Sequence, residues 1–171
     1  MNINYCHFCG TCLKIRMIKD SERFYCEKCD RIHYANPTVG VAVILLDKDR
    51  LLLVKRSGSY SGMWCIPCGH VEWGEDVRGA AQREFKEETG LDVEVGPVFD
   101  VHSNFHDPEK QTVGIWFIGK NIGGKLKAGS DAVDTRFFPL DALPENIMAF
   151  PTDIKICTRL KAAAKDKKGE K

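Results

Sequence analysis

No hydrophobic run in this chain is long enough to cross a bilayer. The longest, Val39 to Leu46, has eight residues, where a spanning helix needs about 20. It fits a buried strand instead. Charge of either sign is not in excess: 25 Lys and Arg stand against 24 Asp and Glu, for a formal net charge of +1. Such a balance gives no electrostatic case for nucleic acid or an anionic membrane as the main partner. Residues Met1 to Cys6 lack the basic start and apolar stretch of a secretory signal. The expected compartment is therefore the cytoplasm, where thiols stay reduced. Internal repeats are absent, and no tyrosine follows Tyr60.

Cysteine, by contrast, is plentiful. The eight fall at positions 6, 9, 12, 26, 29, 65, 68 and 157. In a reducing compartment they point to metal or redox chemistry rather than a disulfide framework. Cys6-x-x-Cys9 and Cys26-x-x-Cys29 are separated by sixteen residues. Two thiolate pairs at this distance fit a tetrahedral Zn²⁺ held by two knuckles. Gly10 suits the tight turn of the first knuckle, which favours Cys6/Cys9 over the overlapping Cys9/Cys12 pair. A module this small needs metal for much of its stability. Its role as a structural cap, a dimer contact or a substrate or nucleic-acid contact stays open.

Three segments follow from the pattern: a zinc ribbon over residues 1–35, a catalytic-sized domain over 36–164, and a charged tail over 165–171. In the middle segment, Val39 to Leu46 and Leu51 to Arg56 read as a hairpin. Glu75 or Asp76 caps a helix that runs to Thr89, with Gly90 as its C′ residue. Leu91 to Val95, Val98 to Val101, Thr112 to Ile118 and Val133 to Phe138 read as strands. Asn121 to Ser130 reads as loop, and Thr152 to about Ala164 as a terminal helix. The order is mixed, which suits an α/β or α+β class.

Within the central helix, Val77, Ala81, Glu84 and Glu88 fall in one narrow stripe at 100° per residue. The stripe begins apolar and turns acidic. Glu84, Glu87 and Glu88 repel one another at i, i+3 and i+4 spacing. A hard divalent cation such as Mg²⁺ would reverse that sign. A solvated acidic face balanced by Arg83 and Lys86 is the other reading.

The stretch from Gly69 to Leu91 says more. Gly69, then five residues, Glu75, then seven residues, then Arg83-Glu84-Phe85-Lys86-Glu87-Glu88-Thr89-Gly90-Leu91 resembles a complete Nudix box. Leu51 to Arg56 is similar to the strand that precedes the box in that family, and Phe137-Phe138-Pro139-Leu140 to its late strand and turn. The Nudix-like part covers roughly residues 37 to 160. The resemblance, to zinc-ribbon Nudix hydrolases such as NADH, FAD and ADP-ribose pyrophosphatases, implies a Nudix α/β/α sandwich with a mixed sheet. It also implies Mg²⁺- or Mn²⁺-dependent cleavage of a nucleoside diphosphate linked to a second group. Carried over by position, Glu84 and Glu88 are metal ligands and Glu87 acts through metal or its water. Arg83 orients the glutamates, and Glu75 braces the loop against Arg83. Cys68, just before the box glycine, would contribute its backbone carbonyl to the metal. Lys55 and Arg56 are phosphate-contact candidates. Trp64, Phe105, His106 and Trp116 are candidates to stack on a base. The box does not fix the general base; Asp107, Glu109, Asp131 and Asp134 are the candidates.

Ser103-Asn104-Phe105-His106 departs from the Ser-Gln-Pro-Trp type of motif found in NADH pyrophosphatases, which favours ADP-ribose, FAD or a nucleotide sugar. The missing downstream tyrosine argues against diadenosine polyphosphate hydrolases. Two rival readings remain: a thioredoxin-like role for Trp64-Cys65-Ile66-Pro67-Cys68, and a catalytically weak binding module. The first needs a cysteine at a helix start, and here the helix begins only near Asp76. The second would be favoured by loss of box glutamates, and none is lost.

Overall fold

The computed structural model describes residues 4–107 and 110–169. The chain forms two compact units. The N-terminal unit, up to Pro37, is built on a three-stranded antiparallel sheet of β1 (Lys14–Ile18), β2 (Ser21–Cys26) and β3 (Arg31–His33) in that order. β1 is exposed along nearly its whole length. Among the described residues of this unit, the buried ones are Cys6, Cys26 and His33. A unit whose interior is two cysteines and a histidine has no apolar core to hold it.

Among the described residues, the second unit holds seven strands and two α-helices: β4 (Thr38–Asp47), β5 (Arg50–Arg56), β6 (Trp64–Cys65), β7 (Cys68–His70), α1 (Val77–Thr89), β8 (Leu91–Asn104), β9 (Thr112–Gly124), β10 (Ala132–Pro139) and α2 (Pro151–Gly169). The main path of the sheet is β10-β5-β4-β9-β8. β4 runs parallel to β9, and the other neighbours are antiparallel. The sheet is thus mixed, with a helix on each face. Val41, Val43, Leu45 and Leu52 pack with Ala80, Ala81 and Phe85 of α1. The alternate residues Ala42, Ile44, Leu51 and Leu53 pack with Ile156, Cys157 and Leu160 of α2. Burial on both faces is why the first strand reads as continuously apolar rather than alternating.

One irregularity positions the site. β4 and β5 pair only at Leu46 with Leu51 and Asp47 with Arg50. Beyond that they part. β6 fills the gap on β5, pairing Val54 with Cys65, and β7 fills it on β4, pairing Val41 with Gly69.

Three local expectations change. The two strands expected over 91–101 are one, bent by register shifts around Gly96-Pro97; proline has no N–H for the ladder, so the pairing skips there. β9 continues to Gly124 into the expected loop, because its glycines let it pair with Leu91 and Asp92 at close range. α2 continues to Gly169, past the expected start of the tail. Among the described residues, no helix is long and apolar enough to cross a membrane.

Candidate active site

α1 is cut to length at both ends. Asp76 caps it by accepting from the N–H groups of Arg78 (2.9 Å) and Gly79 (3.1 Å). At the other end Gly90 takes a left-handed φ of 71° and donates to Lys86 O over 2.8 Å. A side chain there would also meet the Lys125 carbonyl. Thr89 donates to Phe85 O (2.6 Å) and accepts from Leu91 N (3.2 Å). Helix and following strand are joined by these bonds, so the glutamates on the last turn are held in one place.

Asp76 takes the cap, which leaves Glu75 free for another task. Arg83 donates to both of its oxygens, Nε to Oε1 at 2.8 Å and Nη2 to Oε2 at 2.9 Å. This two-pronged pair holds the Glu75 carboxyl down at about 2, with help from the Glu72 N–H. The same guanidinium reaches Glu84 Oε1 at 2.8 Å, Glu87 Oε2 at 3.4 Å and the His70 carbonyl at 3.2 Å. One arginine thus gathers the loop and two of the helix glutamates.

Glu84 and Glu88 both meet β7. The Glu84 carboxylate lies against the Cα of Gly69, where any Cβ would collide with it. Glu88 Oε2 accepts from the Cys68 N–H at 2.9 Å. Glu88 is only 2% exposed. Burial pushes its carboxyl up to about 8, opposed by the Cys68 N–H and assisted by the negative charges of Asp131 and Glu84. A buried carboxylate beside further negative charge is the situation that a bound cation relieves. Carboxylates with a neighbouring main chain offer oxygen donors, which suit Mg²⁺ or Mn²⁺. Glu87 is half exposed and turned toward Arg83.

Arg56 sits at the end of β5 beside this cluster. It donates to Asp131 Oδ2 (3.2 Å), to the Ser59 carbonyl (3.0 Å) and to Cys65 Sγ (3.8 Å). Lys55 lies near the Trp64 ring, 5.9 Å from its centroid. Trp64 itself is core: it is 5% exposed and meets Phe138 edge-on at 4.8 Å. Trp116 is also buried, its Nε1 donating to Asp153 over 3.0 Å. Neither indole offers a face to a base. Phe105 is well exposed, and His106 stands in a cluster of rings with Tyr60 and Phe150.

Of the general-base candidates, Asp134 is paired with Arg136 and Glu109 lies outside the described residues. Asp131 is the one tied to Arg56 and felt at Glu88.

Sequence reading missed Asp153. It is 2% exposed, in the first turn of α2, and accepts from Ile66 N at 2.9 Å as well as from Trp116. Burial pushes its carboxyl up to about 7. No local pattern marks it, since its partners lie 87 and 37 residues away.

Cys65 is fully buried and Cys68 partly so. The neighbouring Cys65 thiol, then burial, push the Cys68 thiol well above its ordinary value. The thiol that would have to attack, Cys65, is buried away from any partner disulfide and opens no helix. The helix start lies eight residues beyond Cys68, at Asp76.

In the ribbon, the sulfurs of Cys6, Cys9, Cys26 and Cys29 all lie within 4.8 Å of one another. Gly10, with φ 71°, donates to the Cys6 carbonyl in the first knuckle, and Cys29 N–H donates to Cys26 Sγ in the second. The Thr11 hydroxyl lowers the Cys9 thiol to about 6. Four sulfurs at the centre of a unit without an apolar core fit a tetrahedral Zn²⁺. Cys12 is exposed and outside the cluster.

A family model described as NUDIX domain matches residues 36–159. The ADP-ribose pyrophosphatase of Methanocaldococcus jannaschii is 42% identical over 114 residues, covering 66% of this chain and 68% of that one. The NAD-capped RNA hydrolase NudC of Stutzerimonas stutzeri is 30% identical over 139 residues, covering 80% of this chain. The chain spans about half the length of that relative, 49%. A NUDIX hydrolase from Nitrosomonas europaea has a similar solved structure, with a TM-score of 0.78, 31% identity, and coverage of 88% of this chain and 86% of that one.

Proposed function

The chain belongs to the Nudix family of pyrophosphohydrolases, and from this we propose that it cleaves the pyrophosphate bond of a nucleoside diphosphate linked to a second group. ADP-ribose and FAD lead, and a nucleotide sugar follows. The observation that carries this reading is the convergence of Glu84 and Glu88 on β7, one against Gly69 and one on the Cys68 N–H. The M. jannaschii ADP-ribose pyrophosphatase supports the first-named substrate.

In this reading Glu84 and Glu88, with the Cys68 carbonyl, hold Mg²⁺ or Mn²⁺. The ion supplies charge neutralisation at the pyrophosphate and a more acidic water. The protein's own residues do the rest. Arg83 fixes Glu84 and Glu87 relative to the loop, and Glu75 fixes Arg83. Arg56 and Lys55 meet the phosphates. Asp131, beside Arg56, is the carboxylate placed to take a proton from the attacking water. Cys6, Cys9, Cys26 and Cys29 hold a structural Zn²⁺.

A second reading has NADH or an NAD-type cap as substrate. The match to the NudC relative, which extends over 139 residues, favours it, while Ser103 to His106 departs from the expected motif. The test is one panel of ADP-ribose, FAD, NADH, a nucleotide sugar and nucleoside triphosphates, with Mg²⁺ or Mn²⁺ and product identification. Release of a nucleoside monophosphate from ADP-ribose or FAD is expected. A clear preference for a triphosphate, with release of pyrophosphate, would overturn the proposal.

A further inference from the structure

Three rings of the second unit meet beside the core, and two of them, Tyr60 and His106, stay exposed. Tyr60 comes from the loop between β5 and β6, His106 from the residues after β8, and Phe150 from the turn before α2. Ring centroids are 5.4 Å apart for Tyr60 and Phe150, 5.5 Å for His106 and Phe150, and 6.2 Å for Tyr60 and His106. Tyr60 is 40% exposed, and His106 is exposed too. Phe150 is partly buried against Val54, Cys65, Ala132 and Ala149, so it anchors the other two. The Arg56 guanidinium lies 5.4 Å from the Phe150 ring centroid. Its other side reaches Asp131, the carboxylate whose charge is felt at Glu88.

The backbone supplies an independent observation. Tyr60 has φ 60°. A bulky residue in the left-handed region is an outlier, because Cβ crowds the carbonyl. Glycine takes that conformation at no cost, and this loop uses it at Gly62, with φ 82°. The strain at Tyr60 is held in place by the loop closing on Arg56: Gly62 N–H donates to Arg56 O (2.9 Å), Met63 N–H to Tyr60 O (3.1 Å), and Arg56 Nε to Ser59 O (3.0 Å). Strain of this kind collects at ligand sites. Here it puts an exposed ring onto a cluster where glycine would have been the easier residue.

We propose that the exposed rings of Tyr60 and His106, seated on Phe150 at tilts of 69° (Tyr60–His106), 70° (Tyr60–Phe150) and 42° (His106–Phe150), form a platform on which the nucleobase of the substrate stacks, with Arg56 joining that platform to the carboxylate site. The inference rests on the pyrophosphohydrolase reading for the rest of the ligand. Planar bases bind to aromatic faces through stacking, which any base can supply. A cation at the platform's edge suits the phosphate that follows the nucleoside. The platform thus selects for a nucleoside end and leaves the group beyond the second phosphate unread.

The test is equilibrium binding by calorimetry on the full chain with Mg²⁺, comparing AMP with ribose 5-phosphate. The variants are Tyr60→Gly, which removes the ring and relieves the backbone, and Phe150→Leu, which keeps the burial and removes the flat face. AMP should bind about tenfold more weakly to each, with ribose 5-phosphate unchanged. Tyr60→Gly should melt no lower than the wild type, whereas a purely structural ring would lower its melting temperature. Unchanged AMP affinity in both variants would overturn the platform, as would wild-type protein that prefers AMP no more than ribose 5-phosphate. If the rings govern AMP binding but no linked diphosphate is hydrolysed, the platform stands and the substrate reading falls.

Discussion

The main-chain N–H of Cys68 donates to Glu88 Oε2 over 2.9 Å. This bond joins the strand that fills the gap between β4 and β5 to the last turn of α1. The next residue along, Gly69, carries the Glu84 carboxylate on its bare Cα. The two glutamates are therefore aimed by backbone, which cannot rotate away as a side chain can.

Glu84→Gln and Glu88→Gln should each lower kcat by about a hundredfold or more while the fold survives, because charge stabilisation in the transition state is lost. Steady-state kinetics with circular dichroism checks this. Near wild-type turnover in a folded variant would remove Glu84 or Glu88 from the site.

Gly69→Ala tests the aim rather than the charge. Its methyl group must displace the Glu84 carboxylate, and a misplacement near 1 Å is enough to cost about a hundredfold in rate. Melting temperature should change far less than kcat. A variant as active as the wild type would mean that Glu84 works from some other position.

Cys65→Ser with Cys68→Ala should keep most of the hydrolase activity, since Cys68 acts through its main chain and its thiol is held in the unreactive form. The wild type should show no insulin-reductase activity. Loss of hydrolysis in a well-folded double variant, or turnover that depends on a reductant, would show that the thiols matter.

Elemental analysis should find about one zinc per chain, as four clustered sulfurs require. Cys26→Ser should abolish it and Cys12→Ser should not. The ligand set would be wrong if Cys12→Ser released the metal and Cys6→Ser retained it.

Asp153 gives a pH dependence with a definite sign. Its carboxyl is raised from 3.8 to about 7 by burial. Between those values the folded protein holds a proton that the unfolded chain has lost, so this group's contribution to stability falls as pH rises through the window. Asp153→Asn removes that slope. The variant should be most destabilised relative to wild type near pH 4 and least near pH 8, by denaturant melts across the range. A difference that is flat, or that grows with pH, would contradict the shift.

Much of the chemistry was legible in the sequence because it is local. The helix caps, the Nudix box and the two Cys-x-x-Cys pairs are short-range patterns, fixed by helical periodicity, turn geometry and metal-ligand spacing. They are enough to give the mixed α/β sandwich and the family. Tertiary structure decided what depends on distant pairing. It buried Glu88, and so raised its carboxyl, by laying β7 over the helix end. It took Trp64 and Trp116 into the core and left Tyr60 and His106 at the surface beside Phe150. It also brought Asp153 to Ile66 across 87 residues. Which ring is buried and which carboxylate is sheltered depends on where strands part and helices land, and residue spacing along a chain does not encode that in any one place.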